Sequence, residues 1–410
     1  MKTASLKKTV LAGLAFGSLL VSQSLHADTT VFFAGGNASQ SILFDRVTNI
    51  LTGGISKAVI SPTNGSVRTY VGTIASQPGL GTVTVHFSQL GAVGGFQDVA
   101  NQNTEVTATT NNLVPNVAVS STSPEAVGIS PAPFTQVRSL VVPFVFIKNT
   151  NLSPNLVTVT NLTQRQAAYL EGAAGTLPSA FFGGSSASDI VYLVARNTAA
   201  AVRTEIDANI YFTGTISSYT TNAIGQPIPD LNGGLANGGA VVNHLKVITN
   251  AIGTVAAQDF PATTAGFATI AYEGVPFSIT NVETCSYPIW GYERWAYLKT
   301  GQTGAPSANQ LNVITSLLSA VTNATFQTTS PLFTGKFARL SLLQVDRSSM
   351  ADRSPPPFTK TSTGIFHEKN PSTDARGFRP AGGHAAAGVE LSRRRRVADF
   401  SREQLQRRRV

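Results

Sequence analysis

Cysteine and histidine are scarce in this sequence, and their scarcity excludes several kinds of site. A single cysteine, Cys285, cannot form an internal disulfide or a metal centre built from several thiolates. Only His86 and His244 lie outside the first 27 and the last 60 residues, and two isolated histidines do not make a metal site. The Gly-x-Ser-x-Gly, P-loop and His-Glu-x-x-His motifs are also missing. We therefore expect no enzymatic activity, no metal and no cofactor.

Long apolar segments are missing as well. The apolar run at residues 10–21 is too short to cross a bilayer core of about 30 Å. It follows three lysines and precedes a small-residue site that ends at Ala27, which is the pattern of a secretory signal. We predict a signal peptide over residues 1–27, cleaved near Ala27, and a periplasmic protein with no transmembrane helix. No cysteine stands at the cleavage point, so a lipid anchor is not expected.

Net charge is absent from the central part of the chain. The whole sequence carries a net charge of +9, but residues 28–350 hold 14 basic and 15 acidic residues. Proteins that bind nucleic acid do so largely through Lys and Arg on phosphates. Nucleic acid is therefore not expected as a partner of this region.

The excess positive charge lies in residues 351–410, which hold 13 basic and 6 acidic residues with a Pro-Pro-Pro run. This composition cannot supply a hydrophobic core and predicts a disordered tail. Two interpretations stay open: a basic arm that binds an anionic cell wall, lipid or nucleic acid, or a dispensable segment.

Short apolar runs alternate with loop and helix patterns between residues 28 and 350, which predicts an α/β fold of two domains. Residues 30–34 and 82–87 are predicted strands, and each is followed by a Gly-rich turn and a helix pattern. The helix after the first strand is expected to run through Leu51. The helix after the second strand is expected to begin near Phe96. Further strands are predicted at 139–147 and 190–194.

A second domain is expected to begin near a helix whose start is marked by Thr163 and Gln166, a capping box. Helices are predicted at 202–210 and 311–321. Two strands, at 251–255 and 267–272, are predicted to return to the first domain.

Two Gly-rich turns, at 35–39 and 91–95, could bind an anion. Each stands between a predicted strand and a helix, where backbone N–H groups and the helix dipole favour negative charge. The alternative is that these glycines serve only close packing.

Several segments follow one another in a characteristic order and spacing. They are FFAGGNAS at 32–39, HFSQLGAVGG at 86–95, VAVSSTSPE at 117–125, VVPFVFI at 141–147, NLTQRQAAYLEG at 161–172, YLVARNTAAAVRTEI at 192–206, AIGTV at 251–255 and CSYPIWGYERWAYL at 285–298. Their order resembles that of phosphate-binding proteins of ABC importers. The resemblance covers most of residues 30–345 and rests on order and spacing.

The resemblance implies a two-lobed periplasmic-binding-protein fold of type II, with lobe one at 28–146 and 265–350 and lobe two at 147–264. It also implies a ligand cleft between the lobes, closure about a hinge, and a membrane permease as partner. We expect a monomer that captures phosphate. The alternative is a binding-protein scaffold without a transport role that acts as a surface or matrix interaction protein.

Position by position, the resemblance also implies binding residues, most of which differ from the family pattern. The family's first-loop Thr falls at Ala38, its second-turn Ser at Ala92, and its buried Asp at Ser121. Its arginine is matched by Arg196, whereas its Ser-Gly-Thr falls at 200–202. The expected ligand-binding residues are Ala38, Ser39, Ala92, Gly94, Ser121, Arg196, Ala201, Val202 and Arg203.

Overall fold

The structure is a computed structural model that describes residues 28–51, 55–61, 64–109, 113–261 and 266–343. The predicted signal peptide and the predicted basic tail lie outside these residues. Among the described helices the longest has 14 residues, and none has the length and apolar character needed to cross a bilayer.

Strands and helices alternate along the described residues. The strands are β1 (Thr29–Gly35), β2 (Ile55–Ile60), β3 (Val67–Gly72), β4 (Val83–Ser88), β5 (Val117–Ser120), β6 (Phe134–Asn149), β7 (Asn161–Leu162), β8 (Tyr192–Val194), β9 (Tyr219–Thr221), β10 (Pro227–Pro229), β11 (Ala251–Ala256), β12 (Phe267–Tyr272) and β13 (Trp290–Leu298). The helices are α1 (Gln40–Ile50), α2 (Ala92–Asn101), α3 (Gln164–Ala173), α4 (Ala201–Asn209), α5 (Gly238–Leu245), α6 (Ile279–Glu283), α7 (Ala308–Val321) and α8 (Ala324–Thr329).

Most of these strands form one mixed sheet in the order β2-β3-β4-β1-β5-β13-β6-β11-β8, with β12 pairing with β6 and β7. The central strands β4, β1 and β5 are parallel, and so are β8 and β11. Parallel strands are usually covered on both faces, and β1 is correspondingly buried at six of its seven residues. The remaining pair, β9 and β10, forms a separate hairpin.

The long strand β6 divides the sheet into two strand sets. Its residues up to Pro143 pair with β13, whereas those from Phe144 onward pair with β11 and β12. We define the first strand set as β1–β5, β13 and the first part of β6, and the second strand set as β7, β8, β11, β12 and the rest of β6. Because β6 belongs to both, a change of its direction near residues 143–144 would move one set against the other.

Several predicted elements are confirmed. The strand, loop and helix at residues 29–50 are present, and the predicted helix at 311–321 forms most of α7. The capping box at the start of α3 is complete, because the Thr163 hydroxyl accepts from the Gln166 N–H and the Gln166 side chain accepts from the Thr163 N–H.

Two predictions differ from the structure. The helix expected from Phe96 begins at Ala92, so residues 92–95 form its first turn rather than a separate Gly-rich turn. The strands at 251–255 and 267–272, both expected to return to the first domain, instead pair with the second part of β6. The first of them also pairs with β8 and the second with β7. The return is made instead by β13, which pairs with β5. The domain boundaries themselves stay predictions.

Close packing of β1 against β5 and α2 requires glycine at two positions. Gly35 has a φ of +136°, and a Cβ there would lie 2.1 Å from the Val119 carbonyl oxygen. A Cβ on Gly95 would lie 2.6 Å from the Ala34 carbonyl oxygen. These glycines allow α2 to begin beside the end of β1, which brings their two loops together.

Candidate functional site

A small cavity lies between the two strand sets, at the carboxyl ends of β1, β5, β8 and β11. This is where ligands bind in open α/β sheets. Small and apolar residues dominate its lining, with three polar side chains among them. The lining residues are Gly36, Asn37, Ala38, Gly91, Ala92, Ser121, Phe144, Arg196, Ala200, Ala201, Val202 and Ala256.

The size of this cavity limits its ligand. The volume open to the centre of a water molecule is ≈ 20 Å³. One water needs roughly 10–15 Å³ on the same measure. The cavity therefore suits a ligand of a few non-hydrogen atoms, and a larger solute would require the strand sets to move apart.

Arg196 supplies the positive charge of the cavity. It follows β8 and is only 4% exposed. Its Nε donates to the Leu235 carbonyl oxygen at 3.2 Å, and its Nη2 donates to the Ala236 carbonyl oxygen at 2.9 Å. A guanidinium has five N–H donors, and the others have no acceptor among the described residues. The two carbonyls thus fix its orientation and leave donors available to a ligand.

A buried carboxylate, Asp259, lies near Arg196 without lining the cavity. Burial raises the pKa of Asp259 to about 6, and the charge of Arg196 opposes this shift. Burial also lowers the pKa of Arg196, which Asp259 opposes in turn. An arginine nevertheless stays charged in proteins, so the cavity keeps a cation that is only partly compensated.

Several of the lining residues have a backbone N–H group that no acceptor in the described part of the chain receives. The helices α2 and α4 begin at Ala92 and at Ala201, and the first N–H groups of a helix have no partner within it. Among the described residues, no acceptor receives the N–H of Ala38, Ala92, Ala201 or Val202. The helix dipoles add partial positive charge at the same ends. The arrangement can therefore hold an anion.

Two hydrogen bonds cross between the strand sets beside the cavity. The Val93 N–H at the start of α2 donates to the Ala199 carbonyl oxygen at 3.3 Å. The Gln258 Nε2 donates to the Asn37 carbonyl oxygen at 3.2 Å. These contacts hold the two strand sets together around the cavity, and a ligand that enters must break them.

Six of the nine expected site residues line the cavity, namely Ala38, Ala92, Ser121, Arg196, Ala201 and Val202. The other three do not. The buried Ser39 side chain lies by Glu293; burial raises the pKa of that carboxyl, and Ser39 opposes the shift. Gly94 lies in the first turn of α2 outside the lining, and Arg203 pairs with Asp207 one helical turn further along α4.

The sequence did not single out Asn37, Phe144 or Ala256, which complete the lining. Asn37 lies within the expected loop, and Ala256 ends β11, so a search of every strand end would have found them. Phe144 belongs to the middle of β6, and no local signal marks it as a lining residue.

A larger and more open groove, of ≈ 430 Å³, lies between the end of α1 and α8. Its Arg46 forms an ion pair with Asp45 and lies 3.9 Å above the ring of Phe326. Because this cation is already paired and stacked, the groove offers less to an anion than the cavity does.

Solved structures similar to this chain include phosphate-binding proteins. A candidate phosphate ABC transporter substrate-binding protein with bound phosphate from Clostridium perfringens is 13% identical, with a TM-score of 0.51; the match covers 76% of this chain and 100% of that chain. An ABC-type phosphate transport receptor from Vibrio cholerae is 12% identical over 70% of this chain and 93% of that chain, with a TM-score of 0.45. A phosphate-binding protein from Stenotrophomonas maltophilia is 12% identical over 72% and 84%, with a TM-score of 0.40.

No family model and no curated protein matches the sequence. At this level of identity the first of these structures shows a shared fold and no more. Together with the mixed sheet and its flanking helices, that likeness confirms the predicted fold class. The chain has a mixed α/β fold like that of the substrate-binding protein from Clostridium perfringens.

Proposed function

We propose that this protein is an extracytoplasmic solute-binding protein that captures a small anion in the cavity, with phosphate as the first candidate. The observation that carries the proposal is the buried, cavity-lining guanidinium of Arg196, which keeps N–H donors for which the described part of the chain offers no acceptor. A buried cation whose donors are unsatisfied is costly unless an anion binds it. The unpaired N–H groups of Ala38, Ala92 and Ala201 support the same conclusion.

The proposed role is binding without chemistry. Ligand enters while the strand sets are apart, contacts donors from both, and is enclosed when the bonds of Val93 and Gln258 form. The implied partner is the permease of an ABC importer, with the protein acting as a monomer in the periplasm after its signal peptide is removed.

The test is isothermal titration of the purified protein with phosphate. We expect saturable binding that weakens roughly 10- to 100-fold in Arg196→Met, because a hydrogen bond to a charged group contributes about 1.5–3 kcal/mol. Arg165→Met is the matched control, since Arg165 is exposed on α3 and does not line the cavity. Its affinity for phosphate should equal that of the unchanged protein.

Arg196→Met also removes the bonds to Leu235 and Ala236, so a second variant is needed that leaves them intact. Ala92→Asp places a carboxylate and extra volume in the cavity from the opposite strand set. It should abolish binding while the circular dichroism spectrum stays the same. If no anion gives heat or a shift in Tm with the unchanged protein, the proposal is wrong, and the scaffold without a transport role is favoured.

A further inference from the structure

The side chains that line the cavity can donate hydrogen bonds, or can both donate and accept them. None of these side chains can only accept. Arg196 can only donate, and so can the unpaired backbone N–H groups of Ala92 and Ala201. The Ser121 hydroxyl and the Asn37 amide can donate or accept. No Asp or Glu is among the lining residues.

Glu293 and Asp259 are buried carboxylates close to this region, but neither lines the cavity. Glu293 accepts from the Ser139 hydroxyl at 2.8 Å and from the Trp295 Nε1 at 3.3 Å. Asp259 packs against the start of α5, where a Cβ on Gly238 would lie 2.1 Å from its Oδ2, and its charge interacts with that of Arg196. Neither carboxylate is therefore among the groups that face a ligand in the cavity.

Because the lining side chains are mainly donors, the cavity should prefer anions whose oxygens can all accept hydrogen bonds. An anion that carries a proton brings an O–H donor, which needs an acceptor once it is buried. The same anion has fewer oxygen lone pairs free for the N–H donors around it. An anion without a proton accepts at every oxygen, and the Ser121 hydroxyl can turn to donate to it.

We infer that the cavity takes fully ionised oxyanions, with sulfate as the simplest, at least as well as it takes phosphate. The inference rests on the proposed function, since it names the class of anion that the same cavity binds. Backbone N–H donors reach the cavity from three segments, the loop after β1 and the starts of α2 and α4, and Arg196 adds a side-chain donor, which suits an anion with several oxygens. The partial positive charge of the two helix starts adds to the charge of Arg196 and matches a dianion.

Titration of the full protein with sulfate and with phosphate, on the acidic and on the alkaline side of the second ionisation of phosphate, tests this. Sulfate carries no proton at either pH, so its Kd should be the same at both. Phosphate should bind more tightly on the alkaline side, where it carries fewer protons. The Kd of sulfate should be equal to or lower than that of phosphate on the acidic side.

Ser121→Asp provides the reverse experiment, because it adds an acceptor that cannot donate at neutral pH. Like charges brought together in a buried site are strongly unfavourable, so sulfate affinity should fall by about 100-fold or more. Phosphate should lose less, since its proton can be donated to the new carboxylate. Ser121→Asn is the matched control, being of equal size and uncharged, and it should keep sulfate affinity within about tenfold.

The outcomes separate this inference from the proposal beneath it. If phosphate binds and sulfate does not, the inference is overturned while the proposed function stands. If neither anion binds, the proposed function fails and the inference fails with it. If sulfate binds and a correctly folded Ser121→Asp protein binds it equally well, sulfate is held elsewhere and the inference is again overturned.

Discussion

The first prediction concerns Glu171, a buried carboxyl group on α3. The Glu171 side chain is 0% exposed, and neither of its oxygens has a hydrogen-bond partner among the described residues. Burial and, to a smaller extent, the charge of Asp207 raise its pKa to about 8, although the charge of Arg203 opposes the shift. Glu171 is therefore protonated at neutral pH in the folded protein, whereas in the unfolded chain it ionises with an ordinary pKa of 4.5.

This difference fixes the sign of the effect of pH on stability. Between pH 4.5 and about 8 the folded state binds a proton that the unfolded state has lost, so the free energy of unfolding falls as the pH rises. The slope is about 1.4 kcal/mol per pH unit, which accumulates to roughly 3 kcal/mol at neutral pH. Glu171→Gln has the same shape and does not titrate. It should therefore be more stable than the unchanged protein at neutral pH by up to about 3 kcal/mol.

Urea unfolding, followed by the fluorescence of the buried Trp290 and Trp295, measures this at neutral pH and near pH 4.5. The gain in Glu171→Gln should be largest at neutral pH and should vanish near pH 4.5. Glu125→Gln removes an exposed carboxylate as the control, and its free energy of unfolding should change by no more than about 0.5 kcal/mol. If Glu171→Gln is no more stable than the unchanged protein at neutral pH, or if its gain does not depend on pH, the reasoning is wrong.

Two further predictions concern the first strand set. His86 is buried and bonded through Nδ1 to the Thr69 hydroxyl at 2.8 Å, and burial lowers its pKa from 6.5 to about 4. Below pH 6.5 the unfolded state binds a proton that the folded state does not, so the free energy of unfolding falls by up to about 3 kcal/mol as the pH approaches 4. In urea titrations His86→Gln should not show this loss. An equal loss in both proteins would contradict the prediction. Gly35→Ala should lower the free energy of unfolding by more than about 3 kcal/mol because its Cβ would clash with Val119. Gly65→Ala is the control, since nothing lies within 4 Å of its Cβ, and it should change the free energy of unfolding little. Thermal unfolding compares the two variants, and equal Tm values would refute the packing argument.

Local signals in the sequence predicted the elements that approach the cavity. The strand, Gly-rich loop and helix pattern placed the loop at Ala38 next to the end of β1, because strand and helix periods differ and glycines mark the turn between them. The position of Arg196 directly after β8 followed from the apolar run that precedes it. The capping box at Thr163 was predicted with its hydrogen bonds, since it depends only on residues three apart.

The pairing of the strands was not predictable in the same way. An apolar run indicates a strand but not its neighbour, because pairing depends on contacts that are distant in sequence. The strand β12 is an example, since its partners are β7 and the second part of β6. The side chain of Arg203 raises a similar difficulty. The start of a helix predicts unpaired N–H groups but not the direction of each side chain, and here Arg203 pairs with Asp207 on the same helix and does not line the cavity.

If the cavity binds an anion as proposed, its lining requires the two strand sets to meet around that anion. Arg196 and Ala201 come from the second strand set, whereas Ala38 and Ala92 come from the first, so neither set alone surrounds an anion. The hydrogen bonds of Val93 and Gln258, which cross between the sets beside the cavity, each contribute only about 0.5–1.5 kcal/mol. An anion that contacts both strand sets binds more tightly when the sets are together than when they are apart. This difference in binding free energy is the amount by which the anion stabilises the closed arrangement. Since the lining side chains contribute few hydroxyls, that difference must come mainly from Arg196 and from backbone N–H groups.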